Sequence, residues 1–246
     1  QPPKRLIEGN SVWIYEEPDK DHQYVMTVDV SKGRGQDYST FNVIDISTRP
    51  FKQVAVYRNN TISPLLFPNI IYKWANSYNK AYVVIESNDQ GSLVTNGLYH
   101  DLEYENMHVE SAIKANALGV EMTRKVKRLG CSAFKDILEN NKLDIVDDDT
   151  ILEISTFVAK GVSYEASSGN HDDLVMNLVM LGYFVSTQYF SDMTDINLKE
   201  MMFKNKMKEI EDDLPPFGFI DDGLDGIQRE EDRTAGQWAI EYLPDI

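Results

Sequence analysis

The sequence predicts an α/β domain built on a mixed sheet with helices on both faces, followed by a peripheral acidic C-terminal segment. Two observations carry this. Three apolar stretches, residues 24–30, 40–46 and 52–58, are joined by connections too short for a crossover, so they form antiparallel neighbours. The period then changes to helical, and residues 81–86 follow as an unbroken apolar run. A strand of that kind is covered on both faces, and one reached through a helix lies parallel to its neighbour.

Taken in order, residues 1–22 mix Pro, Gly and charge around one apolar patch, Val12, Trp13, Ile14 and Tyr15. They read as a connector with at most one edge strand, and the fold proper starts near Gln23. Between the first two strands, residues 31–37 make a tight loop with Gly33 and Gly35. Leu65, Leu66, Ile70, Ile71, Trp74 and Ala75 recur at helical spacing, with Pro64 and Pro68 near the helix start. Beyond the strand at 81–86, the pattern gives a helix over 90–102 and a short strand over 107–110, while 111–123 has no clear period. Helices follow over 131–140 and 149–160, then a short strand over 162–165. Residues 172–188 form the most apolar helix, and 192–212 are at best a polar one. The domain boundaries expected are a linker at 1–22, a core domain at 23–190 and a peripheral tail at 191–246.

At 246 residues the chain suits one large domain, long enough to bury roughly 70% of its extended surface. No apolar run approaches the length of a membrane span, and Gln1 opens no signal peptide. Without an initiator Met the chain reads as a piece of a longer protein. The single cysteine, Cys131, excludes an internal disulfide and any cysteine-based zinc site, and the four histidines lie far apart. A net charge of −16 argues against a general nucleic-acid binder. From Ser191 onward, however, 15 acidic residues face 6 basic ones, so −9 lies in that tail and −7 in the body. No P-loop pattern occurs, so no P-loop motor is encoded in these residues.

Three acidic positions are hard to explain as structure. Asp29 ends an apolar strand, Glu86 ends another, and the pair Asp172 and Asp173 opens the most apolar helix. An ionised carboxylate at the end of an apolar strand is costly unless hydrogen-bonded, paired or bound to a cation. Each has a structural alternative: Asp29 satisfied by its glycine loop, Glu86 paired with a Lys or Arg, and Asp172 and Asp173 in a capping arrangement with Asn170 as N-cap. One shared metal site explains all three at once. Strand, strand, strand, helix, strand, helix, strand, then a late acidic helix is the ribonuclease H-like order. It sets Asp29 and Glu86 on neighbouring central strands with the helix N-terminus against them. Oxygen donors of this kind suit Mg2+ or Mn2+, and two such ions about 3.5–4 Å apart support phosphodiester hydrolysis.

Around this set stand secondary candidates. Successive helical residues point about 100° apart, so only one of Asp172 and Asp173 aims at the sheet. His171 is a candidate outer-shell or proton-carrying group, and Asp37 either helps a second ion or anchors the turn at Tyr38. Lys32 and Arg34 flank glycines that let a phosphate approach. Arg124, Lys125, Lys127 and Arg128 form the one dense basic cluster and a candidate surface for a DNA backbone.

These motifs resemble a known family. YVMTVDVSKGRGQDY (24–38), VIE (84–86), GCSAFKDILE (130–139) and GNHDDLVMNLV (169–179) resemble the C-terminal nuclease domain of the large terminase subunit of T4-like tailed phages. The similarity spans about residues 11–189. It implies a ribonuclease H/resolvase-like fold and a two-metal endonuclease that cuts concatemeric double-stranded DNA in headful packaging. Carried over by motif, the metal ligands are Asp29, Glu86 and Asp173, with Asp172 and Asp37 as further candidates. The implied partners are double-stranded DNA, an N-terminal packaging ATPase of the same full-length chain, the portal protein and the small terminase subunit, with no membrane. The implied location is the host cytoplasm, transiently at the prohead portal and not in the mature virion. Alternatives are a Holliday-junction resolvase-like nuclease and a non-catalytic module that grips DNA and docks on the portal.

Overall fold

The computed structural model describes residues 2–7, 9, 11–109, 117–160 and 163–194. The chain divides after Ser191, and the unit Gln1–Ser191 carries the elements below. The acidic tail from 195 onward and residues 110–116 lie outside the described residues.

Seven strands form one sheet in the order β1-β2-β5-β4-β3-β6, with β7 also on β5. They are β1 (Arg5–Ile7), β2 (Val12–Ile14), β3 (Tyr24–Asp29), β4 (Ser39–Asp45), β5 (Phe51–Asn59), β6 (Tyr82–Ile85) and β7 (Leu143–Asp144). The short connections make β3, β4 and β5 antiparallel, and the helical crossover makes β6 parallel to β3, as the pattern predicts. The mixed sheet with helices on both faces is therefore the observed architecture. Residues 1–22 do more than connect: β1 and β2 both join the sheet, two strands where at most one was expected. Each is three residues long, too short to show a period; β1 pairs with β2 as a hairpin, and β2 reaches the sheet through a non-local pairing with β5.

One face of the sheet is apolar. Met26, Val28, Phe41, Val43, Tyr57, Val83 and Ile85 pack beneath α1 (Phe67–Ser77), through Phe67, Ile71 and Trp74. Val94 of α2 (Gly91–Asn96) and Leu98 of the π-helical turn Gly97–Asp101 extend that layer. Each such side chain contributes about 1.5–3 kcal/mol, so this layer dominates stability. The opposite face is mixed. Thr27, Thr40, Asn42 and Gln53 are buried there beneath α5 (Asp173–Val185), and α3 (Arg124–Glu139) covers α5 in turn. A helix enclosed on both sides is apolar almost all round, which is how the sequence betrayed it.

Two helix boundaries differ from expectation. α3 starts at Arg124 rather than Cys131: Thr123 caps it by accepting from the Val126 N–H at 3.2 Å, so the basic run is its first turn. α4 (Asp148–Thr156) stops short of Lys160, because residues from Phe157 turn into the hairpin β8 (Phe157–Lys160) and β9 (Ser163–Ala166). No helix among the described residues is long and apolar enough to cross a membrane.

Candidate active site

Asp29 and Glu86 meet because β3 and β6 run parallel in a fixed register. Val28 pairs with Ile85, and the Glu86 N–H donates to the Val28 carbonyl at 3.0 Å. The next residues therefore end adjacent strands on the same face, at a strand spacing of about 4.8 Å. The Glu86 backbone is clasped from outside the sheet. A Cβ on Gly91 would lie 1.8 Å from the Glu86 carbonyl oxygen, and one on Gly119, at φ +78, would lie 2.5 Å from that of Ile85. Hydrogen bonds from Val120 N–H to Ile85 and from Ser87 N–H to Val120 complete the clasp at 2.8 and 2.9 Å. Beside it opens a cleft of about 530 Å³ lined by Ser87, Asn88, Ser92, Asn96 and Glu121.

Asp173 arrives from the other side of the same face. Thr40, the cross-strand partner of Asp29, donates its hydroxyl to the Asp173 carbonyl at 3.2 Å, and Asn42 Nδ2 donates to that of Leu174 at 3.3 Å. Asn177 Nδ2 donates back to Thr40 Oγ1 at 2.7 Å. These buried polar bonds seat the first turn of α5 over the strand end, and Asp173 Oδ2 accepts the Tyr38 N–H at 3.2 Å. His171 Nδ1 lies 3.6 Å from that oxygen, with its ring edge-on to Tyr38.

The capping arrangement differs from the sequence alternative. Asp172, not Asn170, is the N-cap residue, and it makes no capping bond; its Oδ2 instead accepts the Ala166 N–H of β9 at 3.2 Å. The cap comes from α4. Glu153 Oε2 accepts the Leu174 and Val175 N–H groups at 2.8 and 3.3 Å. Sequence reasoning did not single out Glu153. A glutamate among Ile151, Leu152 and Ile154 carries no local sign that it caps a helix twenty residues away.

All the central carboxyls hold their protons more tightly than usual. Asp29 keeps some exposure at the strand end, yet loss of hydration pushes it well above the ordinary carboxylate range, and the charges of Glu86 and Asp173 push further, against one hydrogen bond from the Val30 N–H. Burial raises Glu86 to about 7, opposed by Lys127 and reinforced by Asp89 and Asp172. Burial raises Asp173 to about 6, opposed by the Tyr38 N–H and His171 and reinforced by Asp37 and Asp172. Burial likewise lifts Glu153 to about 7.

Among the described residues, no three His, Cys, Asp or Glu side chains stand close enough together to cage an ion. The donor set nonetheless fits one: it is all oxygen, partly dehydrated, and its negative charges repel one another with little internal relief. A pH dependence follows. A carboxyl whose folded pKa lies above its unfolded value of 3.8 or 4.5 binds its proton more tightly when folded. Between those values and about 6–7, the folded state therefore holds more protons and stability falls as pH rises. In EDTA the melting temperature is expected to drop from about pH 5 to about pH 8, and to drop less in Glu86→Gln. Parallel profiles for the two proteins would contradict the assignment.

The remaining predicted residues fall around this centre. Asp37, Lys32 and Arg34 are exposed on the loop between β3 and β4, and Asp37 is close enough to raise Asp173. That loop is held by Gly33, at φ +66, whose Cβ would strike the Ile62 carbonyl oxygen at 2.2 Å. On α3, Arg124, Lys125 and Arg128 are exposed, whereas Lys127 is half-buried, faces the Phe157 ring at 5.9 Å and acts on Glu86.

The family model for the terminase RNase H-like domain matches residues 26–181. The fold is similar to crystal structures of the large terminase nuclease from the thermophilic phage G20c. With bound magnesium the identity is 23%, over 74% of this chain and 89% of that one, at a TM-score of 0.60. With bound cobalt the identity is 24% over the same shares, at 0.59. The nuclease domain of the Thermus phage P74-26 large terminase gives 22% identity over 72% and 86%, at 0.57.

Proposed function

Since the chain belongs to the terminase RNase H-like domain family, we propose that it is a divalent-metal-dependent endonuclease that cuts concatemeric double-stranded DNA during genome packaging. The observation that carries this is the convergence of Asp29, Glu86 and Asp173 on one end of the sheet, from two adjacent parallel strands and one helix N-terminus. Asp29, between the other two, and then Glu86 and Asp173 would hold Mg2+ or Mn2+, two ions in all. When bound, such ions supply an activated water and neutralise charge on the phosphate being cut.

The chain's own residues do the rest. The Tyr38 N–H orients Asp173, and the half-exposed His171 places Nδ1 3.6 Å from the same oxygen, as an outer-shell group. Lys127 places a cation beside Glu86, where a phosphate approaching the strand ends would meet it. Arg124, Lys125, Lys127 and Arg128 occupy the start of α3 with no acid in its first turn. Arg124 and Lys125, in the first turn, oppose the helix dipole by about 0.3–1 kcal/mol each, a cost that an anionic backbone lying across them would offset. Lys32 and Arg34 extend the basic border. In the proposed setting the domain works with a packaging ATPase on the same full-length chain, the portal protein and the small terminase subunit, in the host cytoplasm and transiently at the prohead portal.

Plasmid cleavage tests this reading: cutting is expected with Mg2+ or Mn2+, with none in EDTA. Cutting that persists in EDTA, or a strong preference for four-way junctions over linear duplex, would overturn it. Neutralising Arg124, Lys125 and Arg128 together is expected to weaken DNA binding and lower the salt slope by about 0.9 for each phosphate that the variant no longer neutralises. A salt titration showing an unchanged slope would remove this helix from the DNA surface.

A further inference from the structure

Resting on the nuclease reading above, we propose that Glu153 is a positioning residue: as a remote cap on α5, its carboxylate fixes where Asp173 stands at the metal site. Asp172 occupies the N-cap position and, by residue type, could cap the helix locally. Its carboxylate is engaged by Ala166 instead, and the buried Leu174 and Val175 N–H groups both go to Glu153. A local cap stabilises a helix wherever it lies. A cap from α4 also ties the helix to a second element, so what it adds is location.

Glu153 is only 5% exposed, and its other oxygen, Oε1, accepts no hydrogen bond and faces Arg58 Nη2 at 3.6 Å. Arg58 in turn reaches Asp149 at 3.3 Å and lies over the Tyr38 ring at 4.0 Å. Tyr38 is the residue whose N–H holds Asp173 Oδ2. Asp173 is thus held twice from one hub: through the helix backbone by Glu153, and at its carboxylate by the Tyr38 that Arg58 covers. Neither Glu153 nor Arg58 is one of the three site carboxylates. Together they set the angle at which Asp173 faces Asp29.

The test uses the full chain and its Glu153→Gln and Glu153→Ala variants, with Mn2+ binding followed by calorimetry in the absence of DNA. Both variants are expected to bind Mn2+ about 10–100-fold more weakly. The cleavage kcat should fall by a similar factor at fixed Mn2+, with KM for DNA little changed. Phe51→Leu, at the opposite end of β5, provides a destabilised control whose Mn2+ affinity should stay at the wild-type value. Glu153 variants that lose melting temperature as Phe51→Leu does, yet keep full Mn2+ affinity, would reduce Glu153 to a structural cap and overturn the inference alone. A wild-type chain that neither binds Mn2+ nor cuts DNA would overturn the nuclease reading, and this inference with it.

Discussion

Asp29→Asn is expected to abolish cleavage while making the metal-free protein harder to unfold. The two effects share one cause. Asp29 sits where hydration is largely lost and where the charges of Glu86 and Asp173 both oppose its ionisation, with one backbone N–H in compensation. Asparagine keeps the size, removes the charge and relieves both neighbours. On the proposed reading, an ion that these three carboxylates would hold would lose one donor, and with it several kcal/mol of transition-state stabilisation. At 1.36 kcal/mol per factor of ten, cleavage should fall about 10³-fold or more. Thermal melts in EDTA near pH 8 should place the variant above wild type, and Mg2+ should raise its melting temperature less. A variant that cuts plasmid at the wild-type rate would remove Asp29 from the chemistry.

Gly182→Ala is expected to destabilise the domain by forcing apart two packed helices. α3 and α5 cross so closely that a Cβ at Gly182 would lie 2.7 Å from both the Gly130 carbonyl oxygen and the Phe134 nitrogen. At Gly130 it would lie 2.4 Å from the Val179 carbonyl oxygen. These are backbone atoms, so no side chain can swing aside and the helices must separate. Helix propensity favours alanine over glycine by about 1 kcal/mol, whereas overpacking costs about 1–3 kcal/mol, and at these distances the upper end applies. A net loss of about 2 kcal/mol should lower the melting temperature by roughly 4–8 °C in a domain of this size. Lys127 lies just under one turn before Gly130, so the displaced α3 should also draw its ammonium from Glu86 and weaken DNA binding. An alanine variant as stable as wild type would mean that the crossing has room.

Much of the site was legible because its chemistry is written in local patterns. Asp29 and Glu86 each close an apolar run, and a charge that ends such a run needs an explanation wherever the strand lies. The change from period two to helical period located the parallel strand that brings them side by side. The apolar helix opened by Asp172 and Asp173 showed that an acidic helix N-terminus would face the interior. The strand β2 falls in the apolar patch at 12–15 that reads as one edge strand, whereas β1 was not legible, since three residues of mixed polarity carry no period. The start of α3 was hidden too, because a run of Arg and Lys at a helix N-terminus reads as loop.

What the sequence by itself determined was the inventory: which residues are expensive to bury, and which elements they end. Only the tertiary structure decided the assignment among them. It turned Asp172 toward β9 and Asp173 toward Tyr38, recruited Glu153 as the cap on α5, and brought α3 against α5 at Gly130 and Gly182. The reason is physical. Burial and period depend on a residue and its near neighbours along the chain, whereas a hydrogen-bond acceptor from another helix, or the absence of a Cβ at a crossing, has meaning only once the partner element is in place.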